Sequence, residues 1–208
     1  MPKPQLIQRY TPAERVNHWA VAVTFVLLAL SGLALFHPAF FFLASLFGGG
    51  VWARILHPFI GVLMAALFIF MAQRFAPHNH ITDSDRKWLG QIKDVVCNED
   101  DKLPEVGKYN AGQKYLFWTL VVCVVLLFVT GIIIWQPYFA PKMPLGLLRL
   151  AVLVHAVAAF VSIAAILVHI YAGFWVKGSV RAMTRGTVSR AWARHHHRAW
   201  FREVTGSK

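Results

Sequence analysis

The stretch LAVLVHAVAAFVSIAAILVHI, residues 150–170, carries no charged side chain and is almost entirely apolar. About 20 apolar residues in a helix cross the roughly 30 Å hydrocarbon core of a bilayer, so the stretch predicts a transmembrane helix. Two histidines, His155 and His169, lie within it, fourteen residues apart. Polar side chains inside a membrane are costly, and their presence there indicates a function. These imidazoles are therefore the first candidates for a functional site.

The composition is that of an integral membrane protein. The 208 residues are 57% hydrophobic and only 14% charged, unlike those of an average soluble domain. Residues 38–53 are apolar but end near three consecutive glycines, and they predict a short interfacial stretch and a turn. The sequence predicts an all-α integral membrane bundle of four transmembrane helices in a single membrane domain, with tails at 1–15 and 177–208. The predicted spans are residues 16–36, 55–73, 115–135 and 150–176.

The distribution of basic residues predicts the orientation of this bundle. Of the 21 lysines and arginines, Arg54, Lys142 and Arg149 lie in the connections after the first and third spans, and all others lie in the tails or in residues 74–114. Basic residues concentrate in cytoplasmic loops, so both termini and the 74–114 connection are predicted to be cytoplasmic, in a bacterial inner membrane. The net charge of +12 is then a topology signal and does not indicate nucleic-acid binding. The basic tail could also contact anionic lipid.

The cysteines exclude several kinds of cofactor site. Cys97 and Cys123 are the two cysteines of the chain, and neither belongs to a CxxC or CxxCH motif. Covalent attachment of a c-type haem and a cysteine-ligated iron–sulfur cluster within the chain are therefore excluded. A disulfide framework is not indicated either.

Four of the ten histidines lie inside the predicted spans, and they pair by depth. His18 lies near the cytoplasmic end of the first span, and His169 lies about two turns from the same end of the fourth span. His57 and His155 lie near the outer ends of the second and fourth spans. The sequence therefore predicts one pair of histidines toward each face of the membrane.

The spacing within the fourth span relates the two pairs. Fourteen residues at about 100° each fall about 40° short of four full turns, so His155 and His169 face the same side of the helix, about 21 Å apart along it. No Asp or Glu lies within the spans, which argues against a transporter of divalent cations or protons. Neutral imidazoles are axial ligands of haem iron, so the pattern predicts two stacked bis-histidine sites for b-type haems. The alternative is four core histidines that bond to backbone carbonyls.

Small residues in the spans admit two interpretations. Ser31-Gly32 in the first span and Thr130-Gly131 in the third leave room on the helix faces for a macrocycle. Small residues also serve ordinary helix–helix packing in membranes. The sequence does not separate the two uses.

Two basic features outside the spans are also ambiguous. Arg54 lies three residues before His57 on the same helical face, and it could pair with a haem propionate or simply extend to the membrane interface. His195, His196 and His197 form a run that could bind a metal ion, although a solvated basic segment is the simpler interpretation.

The stretch VGKYNAGQK, residues 106–114, precedes the third span on the predicted cytoplasmic side. Asn110 and Gln113 have the spacing of a helix capping box, which alone could explain both residues. The alternative is a pocket for a polar headgroup, in which the side-chain amides bind the ligand and Gly112 lets the backbone approach it closely.

Four stretches together resemble one family of membrane cytochromes. They are Asn17-His18-Trp19, ILHPF at 55–59, VGKYNAGQK at 106–114 and HIYAGFWVKGS at 169–179. They look like the gamma subunit of respiratory formate dehydrogenases, the dihaem cytochrome b membrane anchor, and most of all its formate dehydrogenase-O type. The resemblance covers nearly the whole chain. The wider family includes the cytochrome b subunits of nickel–iron hydrogenases, which is the alternative identity.

The resemblance implies a complex and a role for each candidate residue. A periplasmic molybdopterin alpha subunit would oxidise formate, and an iron–sulfur beta subunit would pass electrons to this chain, which does no formate chemistry itself. The family also forms trimers of the three-subunit unit. The implied ligands are His57 and His155 for the outer haem b, and His18 and His169 for the inner haem b. The implied pocket for menaquinone or ubiquinone is formed by Asn110, Gly112, Gln113 and His169.

Overall fold

The structure is a computed structural model that describes residues 5–97 and 103–206. The chain divides into two compact units. The first, here called the helical unit, consists of Val16–Ala72 and Thr119–Leu167. The second, here called the terminal unit, consists of Met1–Arg15, Gln73–Trp118 and Val168–Lys208.

Four long helices have the length and hydropathy that a membrane span requires, as predicted. Each helix ends within two residues of the predicted span but begins four or five residues earlier. The early starts arise because hydropathy marks only the apolar part of a helix, whereas backbone hydrogen bonding extends to earlier residues that include polar ones such as Glu14 and Arg54. The helices are α1 (Pro12–Phe36), α2 (Gly50–Phe75), α5 (Ala111–Ile134) and α6 (Leu145–Trp175).

The helical unit has a small apolar interior and an apolar exterior. Val21 of α1, Met64 and Phe68 of α2, and Val124 of α5 form a buried cluster. Large side chains also point outward, and Leu167 of α6 is 62% exposed. Helices that are apolar on all sides suit a bundle whose outer surface contacts lipid.

The connection between α1 and α2 is short and irregular, as predicted. A 3-10 helix occupies Pro38–Phe47, and Gly48 and Gly49 follow it with φ angles of 85° and 103°. Glycine adopts this left-handed region without the steric cost that a Cβ atom would add. The chain can therefore reverse within two residues and enter α2 directly at Gly50.

The terminal unit is more ordered than the sequence predicts for two tails and a connection. A two-stranded antiparallel sheet pairs β1 with β2, so that Leu6 lies opposite Ser189. Five short helices accompany it. The elements of this unit are β1 (Leu6–Gln8), α3 (Asp83–Gly90), α4 (Ile92–Val96), α7 (Ser179–Arg185), β2 (Thr187–Ser189), α8 (Arg190–His196) and α9 (Arg198–Thr205).

A buried arginine connects the two ends of the chain within the terminal unit. The guanidinium of Arg9 lies 4.8 Å from the ring centre of Trp200 and 5.1 Å from that of Trp192. One of its nitrogens lies 3.2 Å from Nε2 of His197, whose Nδ1 donates to the carbonyl of Gly107 at 2.8 Å. Since arginine can only donate, Nε2 is the acceptor and the imidazole is neutral. Burial and the Arg9 charge together lower the pKa of His197 to about 3.

This arrangement predicts that the terminal unit loosens in mild acid. Unfolded histidine has a pKa of about 6.5. Below that pH, His197 is protonated in the opened chain but stays neutral in the folded site. The free energy of opening therefore falls by up to about 1.4 kcal/mol per pH unit. Above pH 6.5 the contribution is constant. Hydrogen exchange at the Ala199 amide, which bonds to the Val106 carbonyl, should accelerate as the pH falls from 6.5 after correction for intrinsic rates.

The matched control for this prediction is the neighbouring imidazole. His197→Gln should abolish the acid acceleration, and His195→Gln, at an exposed position, should retain it. Equal pH dependence in wild type and His197→Gln would contradict the prediction.

Candidate functional site

The structure brings His57 and His155 together in the helical unit. His57 lies on α2 and His155 on α6, and their ring centres are 6.3 Å apart with an angle of 62° between the planes. The two residues are 98 positions apart in the sequence, and their equal depth in the predicted spans is the only sequence feature that relates them. The packing of the four helices is what places the two imidazoles side by side.

A serine from a third helix holds the His57 ring. Ser31 of α1 is fully buried, and its Oγ lies 2.8 Å from Nδ1 of His57. The same hydroxyl donates to the carbonyl of Leu27, one turn earlier, at 2.8 Å. A hydroxyl has one hydrogen and two lone pairs. When the hydroxyl donates its one hydrogen to Leu27 O, Oγ accepts from Nδ1–H of His57, which leaves Nε2 unprotonated.

A threonine from the fourth helix holds the His155 ring in the same manner. Thr130 of α5 places Oγ1 2.9 Å from Nδ1 of His155 and donates to the carbonyl of Leu126 at 2.6 Å. Each imidazole therefore carries its proton on Nδ1, and each Nε2 keeps a lone pair. All four helices contribute to the pair, two with a histidine and two with a hydroxyl.

A glycine follows each hydroxyl residue and leaves space for the ring. A Cβ atom added to Gly32 would lie 3.4 Å from Cε1 of His57, and one added to Gly131 would lie 3.4 Å from Cε1 of His155. Larger side chains would press on the imidazoles at both places. The sequence indicated these small residues as possible space beside a macrocycle, but the structure shows that they fit the histidine rings themselves.

The pair has a geometry and a chemistry that suit haem iron. Metal–imidazole bonds are about 2.0–2.1 Å long, so two axial nitrogens lie roughly 4 Å apart and their ring centres roughly 6 Å apart. The observed 6.3 Å agrees with this. Within residues 5–97 and 103–206, no group of three or more His, Cys, Asp or Glu side chains could hold a bare metal ion. Two neutral imidazoles are what haem iron requires, because the porphyrin supplies the other ligands.

The second predicted pair and the predicted propionate partner stay predictions. His18 lies on α1 in the helical unit, and His169 lies on α6 in the terminal unit. Arg54 is an exposed residue in the second turn of α2. Of the histidine run in the tail, His197 bonds to Gly107 and contacts Arg9, so this member is part of a buried structural cluster and not of a solvated segment.

Asn110 and Gln113 form the capping box that their spacing indicates. The Gln113 amide N–H donates to Oδ1 of Asn110 at 2.9 Å, and the Asn110 N–H donates to Oε1 of Gln113 at 3.0 Å. The two side-chain oxygens are thereby used by the start of α5. The two NH₂ groups are separate from this cap, so helix capping and ligand binding do not compete for the same atoms.

Gly112 lies against a tryptophan that the sequence did not associate with this site. A Cβ atom at Gly112 would lie 3.6 Å from the Trp88 ring and 3.5 Å from Oδ1 of Asn110. Trp88, on α3, is 7% exposed. Any larger residue at position 112 would therefore contact the capping side chain and this indole.

A buried ion pair fixes α3 to the start of α5. Lys114 Nζ lies 2.7 Å from Oδ2 of Asp85, and both side chains are largely buried. The backbone N–H and hydroxyl of Thr82 donate to the same oxygen. Burial raises the pKa of Asp85, but the hydrogen bonds from Lys114 and Thr82 outweigh it and hold the pKa below its usual value. The carboxylate is therefore ionised, and Trp88 is held close to Gly112.

Residues 9–186 match a family model described as prokaryotic cytochrome b561. The chain belongs to the prokaryotic cytochrome b561 family. This membership implies haem b as cofactor, and the geometry of His57 and His155 suits such a group.

The cytochrome is also similar, over almost its whole length, to three curated relatives. It is 47% identical to the cytochrome b556(fdo) subunit of formate dehydrogenase from Escherichia coli K12, over 98% of this chain and 96% of the relative. It is 44% identical to the nitrate-inducible cytochrome b556(Fdn) subunit of the same organism, over 98% and 94%. A formate dehydrogenase cytochrome b556 subunit from Haemophilus influenzae is 41% identical, over 98% and 85%. The resemblance predicted from the four motifs is thereby confirmed.

The glycine beside His155 offers a test of this site in the cytochrome. Gly131→Val places branched methyl groups where a Cβ alone would already lie 3.4 Å from the ring, so it should displace His155 and lower the haem b content per chain, by up to half if each histidine pair binds one haem. A pyridine haemochrome assay measures this content. Gly146→Val is the control, because a Cβ there meets nothing within 4 Å. Full haem content in Gly131→Val would contradict the assignment.

Proposed function

We propose that this cytochrome is the dihaem membrane subunit of a formate dehydrogenase complex and carries electrons across the bacterial inner membrane to a quinone. The observation that carries the proposal is the pair His57 and His155, held at a separation that suits one iron by hydroxyls from two other helices. When bound, each haem exchanges one electron at its iron. The protein provides the ligands, their orientation and an apolar surrounding.

The outer haem would be bound by His57 and His155. Ser31 and Thr130 keep the proton of each ring on Nδ1, so that both Nε2 atoms can bind iron. Both histidines are partly buried among the apolar helices, and the surrounding lipid of a membrane would keep water away from the pair. Arg54, exposed and three residues before His57, would offer its guanidinium to a propionate of this haem.

The inner haem would be bound by His18 and His169. Support comes from α6, which is unbroken from Leu145 to Trp175. Helical spacing in the sequence predicts that His155 and His169 face nearly the same side, about 21 Å apart along the axis. One helix would then supply one axial ligand to each haem.

The quinone would be reduced beside the inner haem by a pocket that includes Asn110, Gly112, Gln113 and His169. The NH₂ groups of Asn110 and Gln113 would donate to the quinone carbonyls while their oxygens cap α5. The absence of a side chain at Gly112 would leave its backbone accessible to the ring. Menaquinone and ubiquinone carry the same pair of carbonyls, and either would suit these donors.

The orientation gives the transfer its energetic consequence. The basic residues place both termini in the cytoplasm by the positive-inside rule, so His57 and His155 would lie toward the periplasm. Electrons that pass inward move against the membrane potential, at about 2.3 kcal/mol per charge per 100 mV. Protons for the quinol would be taken from the cytoplasm. The reaction would therefore conserve energy as membrane potential.

The partners proposed are a molybdopterin alpha subunit and an iron–sulfur beta subunit, assembled as a trimer of heterotrimers. The names of the E. coli and H. influenzae relatives, each a subunit of formate dehydrogenase, support a place in such a complex, and the trimer is proposed from the family resemblance alone. Formate would be oxidised in the alpha subunit, and the beta subunit would deliver electrons to the outer haem.

Purification of the tagged chain in mild detergent tests this function. We expect a molybdopterin subunit and an iron–sulfur subunit to co-purify, with a haem b spectrum and two haems per copy of this chain. His155→Ala should remove one haem and leave the other, whereas His195→Ala should remove neither. Co-purified nickel–iron subunits would instead identify a hydrogenase cytochrome, and a colourless complex would refute the haem assignment.

A variant that preserves the helix cap separates capping from quinone binding. Serine is a good N-cap, so Asn110→Ser should keep α5 intact while it removes the NH₂ donor. Loss of one hydrogen bond of about 0.5–1.5 kcal/mol should weaken quinone binding by up to roughly tenfold. The measurement is the KM for a soluble quinone analogue in the intact complex.

The control for Asn110→Ser is formate oxidation with a dye that accepts electrons from the other subunits. The dye rate should stay at the wild-type value. If the KM for the quinone analogue is also unchanged, Asn110 serves only as a helix cap and the proposed pocket is wrong.

A further inference from the structure

We propose that Ser31 and Thr130 are positioning residues that fix the tautomer and orientation of the outer haem ligands and thereby set the reduction potential of that haem. The inference rests on the proposed function, because it requires a haem between His57 and His155. It concerns two hydroxyls that bond to the imidazoles and would act on the iron through them.

Each hydroxyl lies within reach of a carbonyl of its own helix, and when it donates there it contacts its histidine as an acceptor. Ser31 directs its hydrogen at Leu27 O, and Thr130 directs its hydrogen at Leu126 O. The ring Nδ1 atoms at 2.8 and 2.9 Å must then carry the hydrogen. This leaves Nε2 of both rings unprotonated, which is the form that binds a metal.

Two other buried hydroxyls show how a helical serine or threonine bonds when no imidazole is its partner. Thr24 donates to Ala20 O at 2.8 Å, and Ser162 donates to Ala158 O at 2.8 Å. Within the described part of the chain, both bond only to carbonyls of their own helix. Back-bonding is therefore the ordinary state of such side chains, and the bond to an imidazole is an additional feature of Ser31 and Thr130.

The identity of the acceptor matters for the iron. Histidine ligands usually donate their second N–H to a carboxylate, carbonyl or water, which raises the basicity of the ligand. A neutral hydroxyl that already donates elsewhere does so less strongly than a carboxylate, and a carboxylate would be costly at this depth. Ser31 and Thr130 thus give each ring a moderate donation to iron. Their removal should weaken that donation and favour the ferrous form.

The test is a potentiometric titration of the intact complex, followed at the haem b absorption band. Thr130→Val, which keeps the shape of threonine, and Ser31→Ala should each shift the ferric–ferrous equilibrium of one haem roughly tenfold toward the ferrous form, which is 59 mV for one electron. The shifted component should be the one that His155→Ala removes. The other haem should keep its potential.

Conservative and control variants make the result specific. Ser31→Thr and Thr130→Ser retain a hydroxyl and should restore the wild-type potential. Thr24→Val and Ser162→Ala remove buried hydroxyls that have no imidazole partner, and they should shift neither haem. The low-spin ferric EPR signal depends on the angle between the axial rings. It should change in Ser31→Ala and Thr130→Val and stay as in wild type in the hydroxyl-retaining and control variants.

The proposal is overturned if Thr130→Val retains both haems with unshifted potentials, or if the Thr24 and Ser162 controls shift the same haem equally. Failure of the proposed function would look different, because the wild-type complex itself would lack a haem b spectrum. If the wild-type complex has two haems but the Ser31 and Thr130 variants leave both reduction potentials unchanged, the role of the hydroxyls is rejected and the proposed function stands.

Discussion

The hydrogen bond between a histidine Nδ1 and a hydroxyl of another helix is the interaction on which the helical unit depends. An imidazole in a lipid-facing bundle has no water to bond with, and an unsatisfied polar group there costs several kcal/mol. Ser31 and Thr130 each satisfy one nitrogen, that of His57 and His155 respectively, from the long helix that comes before the histidine's own helix in the chain. They can do so only when the neighbouring helices are packed in register. The helix packing that forms these hydrogen bonds is therefore also the packing that orients both imidazoles.

This constraint also explains why the polar groups are distributed over four helices. Each helix carries either the imidazole or the hydroxyl of a pair. During insertion, no single span therefore brings both polar groups of a pair into the lipid. Each hydroxyl can stay bonded to its own helix before assembly, because Leu27 O and Leu126 O are available to it throughout. The histidines are the groups that gain most from assembly. Their placement thus favours association of the spans.

Most of the fold could be predicted from the sequence, because lipid imposes a single length and polarity on each span. The proximity of His57 and His155 could also be predicted, since depth in a span follows directly from position, whereas the pairing of His18 with His169 stays a prediction. The hydroxyl partners could not, because serine and threonine in a helix bond back to their own backbone by default, and hydropathy does not identify neighbouring helices. The terminal unit was missed for a similar reason. Arg9 contacts His197, 188 residues away, and no local pattern encodes such a distance.

Asn110 and Gln113 form a capping box at the start of α5, and the atoms that they use there could not be read from the sequence. From spacing, capping and ligand binding are alternatives for Asn110 and Gln113. In the structure, the cap uses the oxygen of each amide and leaves the nitrogen to other partners. A side chain with both an acceptor and two donors can therefore define the end of a helix and present hydrogen-bond donors at that same end. An ionised aspartate could cap the helix but has no hydrogen to donate, and a serine has a single hydrogen on a shorter side chain, whereas each amide offers two.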